Sequence, residues 1–174
     1  MNKADKNAGI LRFLNTSTPC VFISHKKEDQ QIAVALGDFL MNDMHVDIYL
    51  DIYDPVLQEA VSVENDEKIV QSIRTGLKES SMLLCIVSDK TKLSWWVPYE
   101  IGIADHAGLK IASIRTKSIN DFPSFLKTKT TLNSLSDLIE YILKNGELGS
   151  VLYSERKKAE IRANAKGKVN EFFN

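Results

Sequence analysis

The chain has 174 residues, of which 44% are hydrophobic and 26% charged, and its formal net charge is −1. This size and composition favour one soluble globular domain with a substantial core, and the near-neutral charge argues against a generally basic binder of nucleic acid or membrane surfaces. No segment approaches the roughly 18 apolar residues of a membrane-spanning helix, and the first residues lack a signal-peptide pattern. We therefore expect a cytoplasmic protein that contacts neither nucleic acid nor membrane, with Cys20 and Cys85 as buried, reduced thiols.

Short apolar runs alternate along the chain with segments of helical periodicity. The predicted strands are Cys20–Ile23, Val46–Leu50, Met82–Val87, Ile111–Ile114 and a short fifth strand at Thr128–Thr131. The predicted helices are Glu28–Met41, a segment with the stripe Ile69, Ile73 and Leu77, Trp95–Ala107 followed by a capping Gly108, and a segment marked by Leu135, Leu138, Ile139 and Ile142 that ends near Gly146. The residues from Asp51 to Val63, which include Pro55, are predicted to form a loop.

This alternation predicts an α/β fold, namely a flavodoxin-like parallel sheet of four to five strands with helices on both faces. In such a fold the functional loops lie at the carboxyl ends of the strands, and here they start at Ser24, Asp51, Ser88 and Arg115. We divide the chain into an N-terminal extension (1–17), a main domain (18–146) and a C-terminal extension (147–174) that forms a helix or a flexible tail.

The most informative local pattern is the pair Trp96 and Glu100 in the predicted third helix. Residues four apart share a helix face, so the indole and the carboxylate are expected to lie side by side. An aromatic wall beside a carboxylate suits a site that holds a flat base while positive charge develops on an attached sugar. The alternative is that Trp96 packs in the core and Glu100 is a solvated helix charge.

Three phrases in the chain together resemble a Toll/interleukin-1 receptor (TIR) domain of the bacterial, NAD⁺-processing type found in antiphage defence. They are Val21-Phe22-Ile23-Ser24-His25, Asp47-Ile48-Tyr49-Leu50-Asp51 and Trp96-x-x-x-Glu100, in this order and with an apolar strand before the third. The resemblance covers approximately residues 19 to 142. It implies a TIR fold.

The resemblance also implies a set of site residues. Catalytic TIR domains cleave the nicotinamide–ribose bond of NAD⁺, and Glu100 matches their essential glutamate. The substrate-binding positions come from the first loop, the start of the second loop and the start of the third helix: Ser24, His25, Lys26, Asp51, Tyr53, Asp54, Trp95 and Trp96. The second loop is acidic here, whereas simpler versions in the family are rich in basic residues.

The residue types fit the chemistry of this reaction. Nicotinamide leaves as a neutral molecule from a cationic base, so the barrier lies in forming an oxocarbenium-like ribose. A carboxylate near the ribose can stabilise that charge, and either tryptophan can exclude water and stack on a ring. We expect no cofactor, with NAD⁺ as a substrate, and no metal, because His25, His45 and His106 lack metal-ligand spacing.

Three functions remain open at this point. The first is an NAD⁺-cleaving enzyme that yields an ADP-ribose-derived signal for a separate effector and self-associates for activity. The second is a non-catalytic TIR adaptor, although an adaptor has no chemical need for the pair Trp96 and Glu100. The third is an enzyme similar to nucleoside deoxyribosyltransferases. Hydrolysis, cyclisation and conjugation are all open as outcomes of the NAD⁺ reaction.

Overall fold

The computed structural model describes residues 1–4, 19–145 and 155–173, and a parallel sheet forms their centre. Its five strands lie in the order β2-β1-β3-β4-β5. The strands are β1 (Cys20–Ser24), β2 (Asp47–Tyr49), β3 (Met82–Val87), β4 (Lys110–Arg115) and β5 (Thr130–Leu132). This strand order is that of flavodoxin-like sheets, so the predicted fold class is confirmed.

Six α-helices accompany the sheet within the described residues. They are α1 (Gln30–Asn42), α2 (Pro55–Ser62), α3 (Asp66–Lys78), α4 (Trp96–His106), α5 (Leu135–Asn145) and α6 (Glu155–Lys168). None of them is long and apolar enough to cross a membrane. Predicted and observed ends differ by one or two residues for most elements, as fraying ends commonly do. The predicted end of α5 near Gly146 lies outside the described residues.

The prediction of a loop from Asp51 to Val63 is wrong in one respect, because most of this segment forms helix α2. Proline interrupts a helix interior but is well tolerated at its first position, where the amide would have no intrahelical partner. Pro55 occupies that position. The carboxylate of Asp54 caps the helix by accepting hydrogen bonds from the amides of Val56 and Leu57.

Helix α4 begins at Trp96, one residue later than predicted, and Trp95 is its N-cap residue. The hydroxyl of Ser94 accepts a hydrogen bond from the amide of Val97 and so ties down the first turn. Past its end, Gly108 has φ +71°, a conformation that glycine adopts without strain. The Ser94 bond thus holds the beginning of α4, and Gly108 suits the turn that leads from its end into β4.

Alternate strand residues point to opposite faces of the sheet and build two cores. On one face Val21 and Ile23 of β1 pack with helices α1, α5 and α6. On the other face Phe22 and Cys85 pack with helices α2, α3 and α4. Both faces are therefore covered by helices, which explains the uninterrupted apolar run of β3.

Residues 155–173, within the predicted C-terminal extension, contribute to the first of these cores. Ile161, Ala165, Val169 and Phe173 are all buried there. The amide of Lys117, just after β4, donates a hydrogen bond to the carbonyl of Phe172. This segment thus packs against α1 and α5 and also contacts the end of β4.

Candidate active site

A cleft of about 200 Å³ opens at the carboxyl edge of the sheet. One side is formed by residues that follow β1 and β2, and another by the beginning of α4. Its polar and aromatic lining includes His25, Lys26, Lys27, Gln30, Asp51, Gln58, Ser94, Trp96 and Glu100. The topology brings these residues together from distant parts of the chain, because the loops that follow parallel strands meet at the same edge of the sheet.

Glu100 lines this cleft but is only 6% exposed. Its Oε2 accepts a hydrogen bond of 2.6 Å from the hydroxyl of Ser24, the last residue of β1. Burial raises the pKa of Glu100 to about 8, the Ser24 hydrogen bond lowers it, and the charge of Asp51 adds a further increase. The interpretation of Glu100 as a solvated helix charge is therefore wrong.

The two tryptophans have different environments. Trp96 lines the cleft, is 39% exposed, and makes an edge-on contact with Tyr99 at a ring-centroid distance of 5.9 Å. Trp95 is 91% exposed and is not among the residues that line the cleft. Of the two tryptophans, Trp96 is therefore the one that offers an aromatic surface to a ligand in this cleft, one turn from Glu100 on the same helix.

His25 and Asp51 form a second polar feature of the cleft. The imidazole Nδ1 lies 3.9 Å from Oδ1 of Asp51 and 3.4 Å from the carbonyl oxygen of Ile23. The carboxylate is about one third exposed as a whole, yet its Oδ1 is buried and has no hydrogen-bond partner among the described residues. Burial raises the pKa of Asp51, and a protonated imidazole at His25 would oppose that increase.

Two lysines supply the positive charge of the cleft. Lys26 lies 3.6 Å from the carboxylate of Glu28, and Lys27 is exposed at the cleft surface. An anionic group of a ligand would displace or share an exposed ion pair of this kind at little cost, because such pairs are weak in water. The lysines therefore suit a phosphate or diphosphate at the entrance of the cleft.

Besides Trp95, three of the predicted site residues do not line the cleft: Ser24, which is buried behind Glu100, Asp54 and Tyr53. Asp54 is 2% exposed, and its carboxylate caps α2 and accepts a hydrogen bond of 2.6 Å from the hydroxyl of Tyr49. Tyr53 is exposed, but it does not line the cleft. The structure gives Asp54 a role in holding α2, rather than direct access to a ligand in this cleft.

An apolar wall completes the cleft and was not predicted from the sequence. It comes from α2 and α3 and consists of Leu57, Val61, Ile69 and Ile73. Ile69 and Ile73 belong to the stripe that predicted α3, but a stripe of this kind marks any buried helix face and does not reveal a ligand site. The contribution of α2 depended on finding that helix.

Comparison with known proteins identifies the family of the chain. The model of the family described as "Thoeris protein ThsB, TIR-like domain" matches residues 22–121, which is more than half of the chain. No curated protein matches the chain.

A solved structure with the same fold is the TIR domain of the Toll-related receptor TRR-2 from Hydra magnipapillata, with a TM-score of 0.54 and 14% sequence identity. The similarity covers 82% of this chain and 97% of the Hydra chain, and at this identity it shows the fold alone. The strand order and the family match lead to one conclusion: the chain belongs to the TIR-like domain family of the Thoeris protein ThsB, a TIR family of bacterial antiphage defence.

Proposed function

We propose that the protein cleaves the nicotinamide–ribose bond of NAD⁺ and releases an ADP-ribose-derived signal in antiphage defence. The observation that carries this proposal is the buried carboxylate of Glu100 at the cleft, one helical turn from the half-exposed ring of Trp96. Burying a carboxylate opposes folding unless an ion pair or hydrogen bonds offset it. Strongly perturbed acids in a cleft are candidates for catalysis for this reason.

The partners of Glu100 support a catalytic role over a structural one. Among the described residues its carboxylate has the Ser24 hydroxyl as hydrogen-bond donor and no ion pair to offset its charge. A cationic substrate group would supply the missing positive charge and favour the ionised form. The nicotinamide ring of NAD⁺ carries such a charge, and it passes to the ribose as the bond breaks.

The cleft allows a specific placement of the dinucleotide. Its volume of about 200 Å³ is below the ~300–1,000 Å³ of pockets that enclose a whole ligand. In our proposal it holds the nicotinamide riboside half, with the nicotinamide against Trp96 and the ribose beside Glu100. The diphosphate then lies towards Lys26 and Lys27, and the adenosine half lies outside.

The reaction follows from this placement. The C1′–N1 bond breaks, its electron pair leaves with neutral nicotinamide, and the positive charge moves to the ribose. The carboxylate of Glu100 stabilises that charge where it develops, which is worth most in a site shielded from water. A nucleophile then forms the new bond to C1′. The product signals to a separate effector, and self-association, as the TIR resemblance implies, completes the site.

Incubation of the purified protein with NAD⁺, with products resolved by mass, tests the proposal. Release of nicotinamide together with an ADP-ribose derivative is the expected result. Deoxynucleosides in a parallel reaction test the deoxyribosyltransferase alternative. If a folded, self-associated protein turns over neither substrate, the adaptor function replaces the enzymatic one.

A further inference from the structure

The pair His25 and Asp51 has no assigned role in the bond cleavage described above, yet its geometry is unusual. The His25 side chain is 3% exposed and sits beside a buried carboxylate oxygen that lacks a hydrogen-bond partner among the described residues. Leaving a buried acceptor unsatisfied costs about 1–3 kcal/mol, and more when it is charged. A feature that opposes folding at a cleft is a candidate for function.

The Ile23 carbonyl favours one tautomer of His25. A carbonyl oxygen can only accept a hydrogen bond, so a hydrogen bond across the 3.4 Å between Nδ1 and this oxygen needs the tautomer with its proton on Nδ1. The neutral imidazole then has an unprotonated Nε2. A proton taken up at Nε2 would create an imidazolium, which the carboxylate of Asp51 at 3.9 Å would stabilise.

The separation of 3.9 Å is longer than a hydrogen bond. Contacts between catalytic groups are often long before substrate binds and shorten in the reactive complex. A small rotation of either side chain would allow Nδ1–H to donate to Oδ1 of Asp51. That contact would satisfy the buried oxygen and hold the imidazole in the tautomer whose Nε2 is an acceptor.

We infer that His25 is the general base that deprotonates the nucleophile capturing the ribosyl cation, and that Asp51 is the residue that positions it. The inference rests on the proposed function and assigns the two halves of the reaction to different residues. Glu100 serves the departure of nicotinamide, and the His25–Asp51 pair serves the second half of the reaction. The class of co-substrate that needs such a base is a protic nucleophile with an O–H or N–H bond.

Capture of the ribosyl cation transfers one proton to His25. The lone pair of the nucleophile forms the bond to C1′ as the ribosyl cation is neutralised. The O–H or N–H proton moves to Nε2 of His25, which becomes an imidazolium beside the carboxylate of Asp51. Loss of this proton to solvent restores the neutral imidazole. No oxidant, reductant or metal takes part.

Two reactions separate the halves of this mechanism. Exchange of labelled nicotinamide into NAD⁺ requires only bond cleavage and its reversal, because the ring nitrogen attacks with a lone pair and loses no proton. Azide is an anion that captures the ribosyl cation without a base. Both can be measured on the same preparations of wild type, His25→Gln and Asp51→Asn, with His106→Gln as a matched control at an exposed histidine.

We expect His25→Gln to lower formation of the natural product by roughly 10²- to 10⁴-fold while nicotinamide exchange stays within about threefold of wild type. Asp51→Asn should likewise lower product formation relative to nicotinamide exchange. A purely structural role would lower both rates together. Azide should restore NAD⁺ consumption in both variants and yield ADP-ribosyl azide. It should not rescue Glu100→Gln, and His106→Gln should behave as wild type.

The outcomes are distinguishable. If His25→Gln lowers exchange and product formation by the same factor, or if azide restores nothing, the pair has no role as a base and the inference is overturned while the proposed function stands. If the folded, self-associated wild-type protein neither exchanges nicotinamide nor consumes NAD⁺, the proposed function and this inference are overturned together.

Discussion

The hydroxyl of Ser24 donates a hydrogen bond of 2.6 Å to Oε2 of Glu100 and so connects the end of β1 to α4. The two residues are 76 positions apart in the chain. Because this bond favours the ionised carboxylate, it opposes the effect of burial on the pKa of Glu100. Ser24 thus acts on the acid itself, although the TIR resemblance implied only that it borders the substrate.

Ser24→Ala should raise the pKa of Glu100 further and shift the pH dependence of turnover. A hydrogen bond to a charged group contributes about 1.5–3 kcal/mol, so the midpoint of the rising limb should move up by about one to two pH units. The measurement is kcat/KM for NAD⁺ between pH 6 and pH 10. Ser113→Ala is the control. Ser113 is also buried but lies on β4, and its loss should leave the midpoint unchanged. Equal midpoints for Ser24→Ala and wild type would contradict this role.

Glu100→Gln should lower turnover by roughly a hundredfold or more at a pH where wild type is active, because it removes one preorganised charge interaction. The variant retains the size and much of the hydrogen bonding of Glu100. NAD⁺ consumption under conditions of wild-type turnover provides the measurement, and Glu160→Gln, at an exposed residue of α6, is the control. A folded Glu100→Gln protein with nearly the wild-type rate would contradict the catalytic role of Glu100 and favour the adaptor function.

The same substitution should stabilise the fold at high pH. The pKa of Glu100 is about 8 in the folded state against 4.5 for the reference group, so the folded protein binds more protons between these values. The contribution of Glu100 to the free energy of unfolding of wild type is therefore most favourable below about pH 4.5. It falls as the pH rises and is least favourable above about pH 8. Glu100→Gln removes this dependence.

We expect the free energy of unfolding of Glu100→Gln to exceed that of wild type by roughly 3–5 kcal/mol at pH 9 and to match it near pH 4. Urea denaturation at both pH values measures the difference. A variant that is less stable than wild type at pH 9 would show that Glu100 contributes to the fold as an ion. Lower activity with higher stability is the combination expected of a functional acid.

Trp96→Ala should weaken catalysis much more than Trp95→Ala. Stacking of a flat base on an aromatic ring contributes about 1–3 kcal/mol, so kcat/KM should fall by roughly 5- to 150-fold. Since Trp96 is 39% exposed, its loss should cost less than the ~3–5 kcal/mol of a fully buried tryptophan. Trp95 is 91% exposed and serves as the control. If activity follows only the folded fraction seen in thermal melting, Trp96 is structural.

Turnover per molecule should rise with protein concentration. The TIR resemblance implies that a neighbouring copy completes the site through the loop after β2, the residues from Asp51 to Val63, which here contain α2. Val56, Val61 and Val63 in and beside this helix are 40%, 44% and 62% exposed. A dilution series with sedimentation measured in parallel tests the expectation. Constant specific activity across dissociation of the oligomer would contradict it.

The sheet could be predicted because its signal is local. The apolar run of β3 is long and unbroken, and the strands recur between segments of helical spacing. The Trp96–Glu100 pair could be predicted for the same reason, since both residues lie on one helix. Helix α2 is harder to predict because proline marks loops as well as first helical positions, and here the preceding Asp54, a typical N-cap, decides for the helix.

The chemistry of the site was less predictable because it arises from tertiary contacts. Glu100 is buried and bonded to Ser24, and His25 approaches Asp51. Each of these contacts is between residues that lie far apart in the chain. No periodicity within one segment encodes such contacts. The C-terminal segment was ambiguous for a related reason, since a lone apolar residue every fourth position in a polar helix gives a weak pattern.

Phe173→Ala should destabilise the whole domain. Phe173 is fully buried with Ile161, Ala165 and Val169 in the core formed by α1 and α5. It also pairs with Thr116 after β4. Truncating a buried phenylalanine costs about 3–5 kcal/mol, which corresponds to a decrease of roughly 10 °C in Tm for a chain of this size. Phe125→Ala is the matched control, because Phe125 is 44% exposed and its loss should cost far less. Thermal and urea unfolding of both variants provide the comparison. Equal, small effects would mean that residues 155–173 lie outside the cooperative fold and that the domain ends with α5.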